Sequence, residues 1–187
     1  AMAERDLLYS ILAYLKRQRD SVFLWNGKLD AENHKSLLFL NPTEIITTAD
    51  YNRIKACLSH IEDKVQQGYH AAGFLSYESA CAFEDTFDRP AVQFPLLWFG
   101  IYKNPVIINH KKDTPESVRF GTTAKNLLGI YKIKNITKTK EKREYIEDIS
   151  KIKKYIKKGD TYQVNYTFKY KFKFRGCPYG LFYDLNK

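Results

Sequence analysis

Several residue patterns that mark common classes of protein are missing from this sequence of 187 residues. Its three cysteines, Cys57, Cys81 and Cys177, include no Cys-x-x-Cys pair, so neither a disulfide framework nor a zinc site is indicated. No apolar run approaches the ~20 residues that a membrane helix requires, and the first residues lack the apolar core of a signal peptide. We therefore expect a soluble intracellular protein whose thiols are buried.

The sequence also lacks the standard signatures of nucleotide, zinc and hydrolase sites. It contains no G-x-x-x-x-G-K-[ST], G-x-G-x-x-G, H-E-x-x-H or G-x-S-x-G stretch. The four histidines lie far apart, without an acidic or thiol partner at ligand spacing. We interpret them as surface or structural residues and predict no metal site in this chain: His34, His60, His70 and His110.

Positive charge is in excess, and it is concentrated in one segment. The formal net charge is +10 at pH 7, and fifteen Lys/Arg against five Asp/Glu between Lys132 and Arg175 account for all of it. One reading is a basic module that binds nucleic acid or another polyanion. However, aromatic residues and lysines alternate from Lys169 to Phe174 and so point to opposite faces of a strand, which separates base stacking from phosphate contact. Nucleic-acid binding is therefore the alternative reading.

Hydrophobic periodicity predicts helices and antiparallel strands without a regular βαβ alternation. Amphipathic helices are expected near the N-terminus, from Asp50 as cap to Gly68, and over 141–158 with Thr139 as cap and Gly159 as stop. Branched and aromatic runs predict strands at 21–25, 36–40, 44–48, 71–77, 92–102 and 105–109. The predicted fold class is α+β, with mainly antiparallel sheets and packed helices.

The strongest pattern is a strict alternation of apolar and polar residues from Thr161 to Phe174, which predicts a long strand with one buried aromatic face. Gln163 and Asn165 then lie two residues apart on its polar side. Amide side chains both donate and accept hydrogen bonds, so this pair can orient a polar small molecule or a nucleophile. We take Gln163 and Asn165 as candidates for the substrate or nucleophile side of a site.

The stretch from Tyr155 to Thr167, YIKKGDTYQVNYT, resembles the I-x-x-G-D-x-Y-Q-V-N stretch of the chorismate-utilising enzymes. Further stretches agree in the family's order: SLLF with Asn41-Pro42, GFLSYE from Gly73, and PLLWF from Pro95. The likeness runs from about Val22 to the end of the chain. Within the family it is greatest to component I of aminodeoxychorismate synthase (para-aminobenzoate synthase), with component I of anthranilate synthase as the near relative.

The resemblance implies a two-sheet fold and a cytoplasmic enzyme that converts chorismate to an amino product for folate synthesis. It also implies Mg²⁺ as cofactor, with ligands outside this chain, and ammonia supplied by a glutamine amidotransferase subunit. Family members that add water carry a lysine at the position of Gln163, whereas aminating members carry glutamine. An amide cannot act as the base that generates hydroxide, so Gln163 favours the aminating branch.

The family's P-I-K-G-T lysine loop and G-A-P-K loop are absent from this sequence. We therefore expect an inactive N-terminal portion: residues 3–130 as the N-terminal α+β domain and 131–187 as the start of a truncated chorismate-binding catalytic domain. A further possibility is an autonomous docking domain for the amidotransferase. Because the aromatic face of strand 161–174 would lack its neighbours, self-association of the truncated chain is also expected.

Family members that bind tryptophan in the N-terminal domain use an L-L-E-S motif. The corresponding residues here are Phe23-Leu24-Trp25-Asn26, with Ser36 on the next predicted strand. These five are possible degenerate positions of a tryptophan pocket. No acid is present to pair with the amino group of tryptophan, so we expect that no tryptophan effector binds and that Trp25 fills the space.

Overall fold

Residues 2–27, 33–84, 86–112 and 128–186 are described by the computed structural model. The chain divides into two compact units, Ala1–Leu127 with Leu185–Lys187, and Leu128–Asp184. The sequence predicted a boundary after residue 130. The assignment of the two parts to an N-terminal domain and a catalytic domain stays a prediction.

Among its described residues, the first unit has two helices and two three-stranded antiparallel sheets. The helices are α1 (Met2–Leu15) and α2 (Ile54–Gln66), and short 3₁₀ helices cover Tyr51–Arg53 and Tyr77–Ala82. The strands are β1 (Val22–Leu24), β2 (Lys35–Phe39), β3 (Glu44–Thr48), β4 (His70–Leu75), β5 (Leu97–Tyr102) and β6 (Val106–Asn109). One sheet has the order β1-β2-β6 and the other β3-β5-β4.

The main core of this unit lies between α2 and the second sheet. Cys57 and Ile61 of α2 pack with Ile46 of β3 and with Leu97 and Ile101 of β5. These α2 residues are four apart and share one helix face, as the periodicity predicted. The side chain of Asp50 accepts a hydrogen bond from the Asn52 amide, 2.9 Å away, so the cap is confirmed, although it opens the 3₁₀ turn that precedes α2.

A second cluster joins the two sheets through Phe39, Ala72 and Tyr102. Tyr102 is completely buried, and its hydroxyl donates a hydrogen bond to the Asp20 carbonyl oxygen at 2.8 Å. Burial disfavours the phenolate and raises the pKa of Tyr102 to about 12. The buried hydroxyl is therefore satisfied by the backbone.

The second unit holds β7 (Tyr131–Lys138), α3 (Lys142–Lys158), β8 (Tyr170–Gly176) and α4 (Pro178–Leu185), whose last residue is counted with the first unit. β7 and β8 pair antiparallel in a two-stranded sheet. α3 begins at a capping box, in which the Glu144 side chain accepts from the Glu141 amide at 2.7 Å, and not at Thr139 as predicted. It ends at Gly159, whose φ of 81° lies in the left-handed region.

The predicted strand from Thr161 to Phe174 is wrong over most of its length. Only Tyr170–Gly176 forms a ladder, and 161–169 has no regular secondary structure. The ladder does not extend before Tyr170 because the partner strand, β7, ends opposite it at Lys138, where the chain turns into α3. The aromatic face is not buried either, since Tyr162 is 92% exposed and Tyr170 and Phe172 are also exposed.

Other differences have local causes. β7 was not predicted, because the alternation that begins at Tyr131 is interrupted by a register shift between Lys134 and Thr137, where Asn135 has a φ of 55°. The strand predicted over 92–102 is limited to β5, since Pro95 has no amide hydrogen for a ladder. Only Cys57 is buried, whereas Cys81 and Cys177 are partly exposed free thiols.

The predicted α+β class with antiparallel sheets and packed helices is confirmed. All five strand pairings in the described residues are antiparallel. In the same residues, no helix combines the length and apolar character needed to cross a membrane.

Two serines that follow β4, Ser76 and Ser79, provide a matched test of hydrogen bonding in and before the 3₁₀ helix Tyr77–Ala82. The buried Ser79 hydroxyl donates to the Ser76 carbonyl oxygen at 2.6 Å, whereas the Ser76 hydroxyl is buried with no hydrogen-bond partner among the described residues. We expect Ser79→Ala to lower the free energy of unfolding by about 1 kcal/mol and Ser76→Ala to leave it unchanged or raise it. Urea denaturation measures both, and equal losses would contradict this account.

Candidate functional site

The amide pair lies on the irregular segment 161–169, which follows α3 in the second unit. Gln163 and Asn165 are both exposed, and Gln163 Nε2 donates to Asn165 Oδ1 at 3.4 Å. The Thr161 hydroxyl donates to the Gln163 carbonyl oxygen at 3.1 Å. The two amides are therefore adjacent, as predicted, but they lie on irregular chain and not on a strand.

The Asp148 carboxylate links this segment to α3. Its Oδ2 atom accepts a hydrogen bond from Lys140 Nζ at 2.7 Å and a second from the Tyr166 hydroxyl. Lys140 precedes α3, Asp148 lies in its middle and Tyr166 follows Asn165 directly. The Asp148 side chain is 32% exposed. A single half-buried carboxylate thus joins three parts of the chain.

Aromatic contacts hold the same segment against the first half of α3. The Tyr145 ring lies 5.6 Å from the Tyr166 ring and 5.8 Å from the Phe168 ring, measured between centroids. The Phe168 ring is in turn 5.3 Å from that of Tyr170, the first residue of β8. Tilted and edge-on pairs at these distances are favourable. Residues 166–168 are therefore held by aromatic contacts with α3 on one hand and with the start of β8 on the other.

An open groove with a volume of about 830 Å³ lies between α3 and this segment. Four of its lining residues are lysines, and Asp148 supplies a single negative charge. Its walls are formed by Thr139, Lys140, Asp148, Lys151, Ile152, Tyr155, Tyr166, Thr167, Phe168, Lys169 and Lys171. This composition favours an anionic ligand with an apolar part.

The three linked groups shift each other's protonation. The hydrogen bond from Lys140, followed by that from Tyr166, holds the pKa of Asp148 below its ordinary value of 3.8. The same bonds raise the pKa of Lys140 and the pKa of Tyr166 above their ordinary values. At neutral pH the carboxylate, the ammonium and the neutral phenol are the favoured forms.

The predicted tryptophan-pocket positions lie in the first unit. Ser36 is 1% exposed; its hydroxyl accepts a hydrogen bond from the Asn26 amide at 2.9 Å and lies 2.7 Å from His110 Nε2. The Trp25 ring contacts the His110 ring edge-on at 4.6 Å and lies 5.6 Å from the Phe23 ring. Leu24 is exposed. That these residues bind no tryptophan stays a prediction.

Sequence reasoning missed Asp148, Lys140, Tyr166 and His110 as members of these clusters. Asp148 is one of several acids on a lysine-rich helix, and Tyr166 was assigned to the buried face of a strand. No sequence pattern therefore marked either residue as part of a site. His110 was interpreted as surface or structural, and its contacts with Ser36 and Trp25 join β6's end to the β1–β2 region.

The described residues do not fit a Mg²⁺ site. No group of three or more His, Cys, Asp and Glu side chains among them lies close enough to hold a metal ion. Asp148, the acid nearest the groove, already accepts from a lysine ammonium. In the second unit, Gln163 and Asn165 offer hydrogen-bonding amides, and the groove lysines attract negative charge.

The chain matches the sequence pattern of a known protein family. The sequence pattern of a family described as chorismate binding enzyme matches residues 20–187, which is most of both units. No individual curated protein matches the chain significantly.

The hydrogen bonds that Asp148 accepts from Lys140 and Tyr166 predict a loss of stability at acid pH. A carboxyl group whose pKa is lowered by folding stabilises the fold above its unfolded pKa, near 3.8, and the stabilisation is lost as the pH falls through the lower folded value. We expect Asp148→Asn to lower the thermal midpoint at pH 7 and to flatten its decline below about pH 4. Glu147→Gln is the control, because the ion pair that Glu147 forms among the described residues is with the exposed Arg143. Identical pH profiles for Asp148→Asn and the wild type would refute the linkage.

Proposed function

The chain belongs to the chorismate binding enzyme family, and we propose that it forms the N-terminal part of an enzyme that aminates chorismate to 4-amino-4-deoxychorismate. This is the reaction of component I of aminodeoxychorismate synthase. Gln163 carries the proposal. Its amide can orient ammonia and the reacting carbon, but it cannot remove a proton from water to make hydroxide.

The groove begins three residues after Gln163, which does not itself line it, and its lysines support an anionic substrate. The segment from Gln163 runs directly into the groove wall at Tyr166–Lys169. Lys151 and Lys171, from α3 and β8, line the same groove, and together they make the local potential positive for a dicarboxylate such as chorismate. Asn165, hydrogen-bonded to Gln163, fixes the orientation of its amide and is a positioning residue.

We assign the source of ammonia to a glutamine amidotransferase subunit and the cytoplasm as the place of reaction. Mg²⁺ would have its ligands outside the described residues, which do not fit such a site. The lysine loop and the G-A-P-K loop of the family are absent from the sequence. We therefore expect the 187-residue chain alone to be inactive.

The test is made in the full enzyme that contains this chain, with chorismate, Mg²⁺ and ammonium salt, so that no amidotransferase is needed. We expect Gln163→Ala to lower kcat/KM for 4-amino-4-deoxychorismate about 10²-fold, because misorientation of a reacting group has that effect. Gln67→Ala, an exposed glutamine beside the C-terminus of α2, is the matched control and should leave the rate unchanged.

Product analysis separates the alternatives. Formation of anthranilate by the wild type would assign the chain to anthranilate synthase component I and overturn the proposed product. Full activity of Gln163→Ala would remove the role of Gln163. In Gln163→Lys, we expect the amino product to fall and a hydroxylated isomer of chorismate to appear, because a lysine can act as the base that activates water.

A further inference from the structure

Four lysines lie together on the C-terminal half of α3. They are Lys153, Lys154, Lys157 and Lys158, and all four are exposed. Residues four apart on a helix are neighbours on one face, separated by about 6 Å along the axis. The four residues therefore form two adjacent rows of two, which we call the lysine face.

The lysine face points away from the groove and from segment 161–169. α3 contacts that segment through Tyr145 and Asp148, and Ile152 and Tyr155 line the groove. At 3.6 residues per turn, these four residues lie on the opposite side of the helix from the lysine face. Lysines are almost never fully buried unless they are paired. The lysine face is therefore a surface feature of α3, separate from the site already described.

The charge of the lysine face is not neutralised by ion pairs among the described residues of the second unit. Those ion pairs are Lys138–Glu141, Lys140–Asp148 and Arg143–Glu147. The negative end of the helix dipole favours cations in the last turn, where Lys157 and Lys158 lie, but it does not account for Lys153 and Lys154. Like charges four residues apart destabilise a helix, so an acidic partner on this face would remove a cost.

The residues beside the lysine face favour a protein as this partner. Ile146 is 52% exposed and lies two turns before Lys153, in line with it. An apolar residue next to charged ones is typical of a protein interface. The exposed carboxylate of Glu147 would repel phosphates, and the rings of Tyr145 and Tyr155 lie on the other side of α3, where they cannot stack on the same nucleic acid. A second copy of the chain would place lysines against lysines.

We propose that the lysine face and Ile146 bind an acidic surface of the subunit that supplies ammonia. The proposal rests on the function proposed above and names where that partner docks. Ammonia has to pass from the subunit to Gln163, so the two must lie close together. α3 ends at Lys158, and Gln163 follows five residues later. Carboxylates of the partner would pair with the two lysine rows, and such pairing makes association fast and sensitive to salt.

The experiment uses the full enzyme that contains this chain and the purified glutamine amidotransferase subunit. Calorimetric titration measures the Kd of the pair, and amination of chorismate is followed with glutamine and, separately, with ammonium salt. We expect binding that weakens with salt. Lys153→Glu with Lys154→Glu should raise the Kd at least about tenfold and lower the glutamine-dependent rate at limiting subunit, with the ammonium-dependent rate unchanged. Each new Glu precedes a lysine by four residues, a favourable order, so α3 should still form.

A second double variant with the same change in net charge is the matched control. Lys111→Glu with Lys112→Glu alters exposed residues of the first unit and should change the Kd less than about threefold, because distant surface charges are screened. Ile146→Ala tests the apolar part of the proposed interface. It should raise the Kd at least about threefold without making the binding less sensitive to salt.

The outcomes separate this proposal from the proposed function. Equal Kd values for the two double variants, or no binding of the subunit by the wild type, would overturn the docking and leave the role of Gln163 intact. If the wild type forms no amino product from ammonium while the subunit still binds through Lys153 and Lys154, the proposed function fails and the docking stands. Tighter binding of single-stranded polyuridylate than of the subunit, lost in the Lys153→Glu, Lys154→Glu variant, would assign the lysine face to a nucleic acid instead.

Discussion

The candidate site depends on the carboxylate of Asp148. Residues 161–169 have no strand partner, so no ladder of backbone hydrogen bonds positions Gln163 and Asn165. Their segment is held instead where Tyr166 donates to Asp148 and where Tyr145 contacts Tyr166 and Phe168. Lys140 donates a further hydrogen bond to the same carboxylate and lowers its pKa. Loss of this charge would release the segment that carries the amide pair.

Positive charge in the second unit has two different structural roles. Lysines on α3 and in the groove lie around one acid and give the groove a positive potential. Lys132 and Lys134 of β7 instead lie opposite Arg175 and Lys173 of β8, and the ion pairs formed by the described residues of this unit include none of these four. The positive charge of the second unit is therefore found both in the groove and on one face of the β7–β8 sheet.

The sequence predicted elements whose signals are local. α2 and α3 each have a stripe of apolar residues at helical spacing. Gly159 ends α3 because the backbone there is in the left-handed region, which glycine adopts readily. The antiparallel strands of the first unit were found from branched residues between turns. Strand pairing depends instead on residues far apart in the sequence. Apolar and polar residues do alternate over 161–174, but the length of β7 determines how many of these residues form a ladder. Asp148 joins Tyr166 across 18 residues, and no periodicity marks such a contact.

The most direct test of this account is the nuclear Overhauser effect between aromatic rings in the wild-type chain. If the segment is held against α3, ring protons of Tyr145 show cross-peaks to those of Tyr166 and Phe168, and these are lost in Asp148→Ala. Random-coil shifts over 161–169, with no cross-peaks from Tyr145 in the wild type, would contradict it.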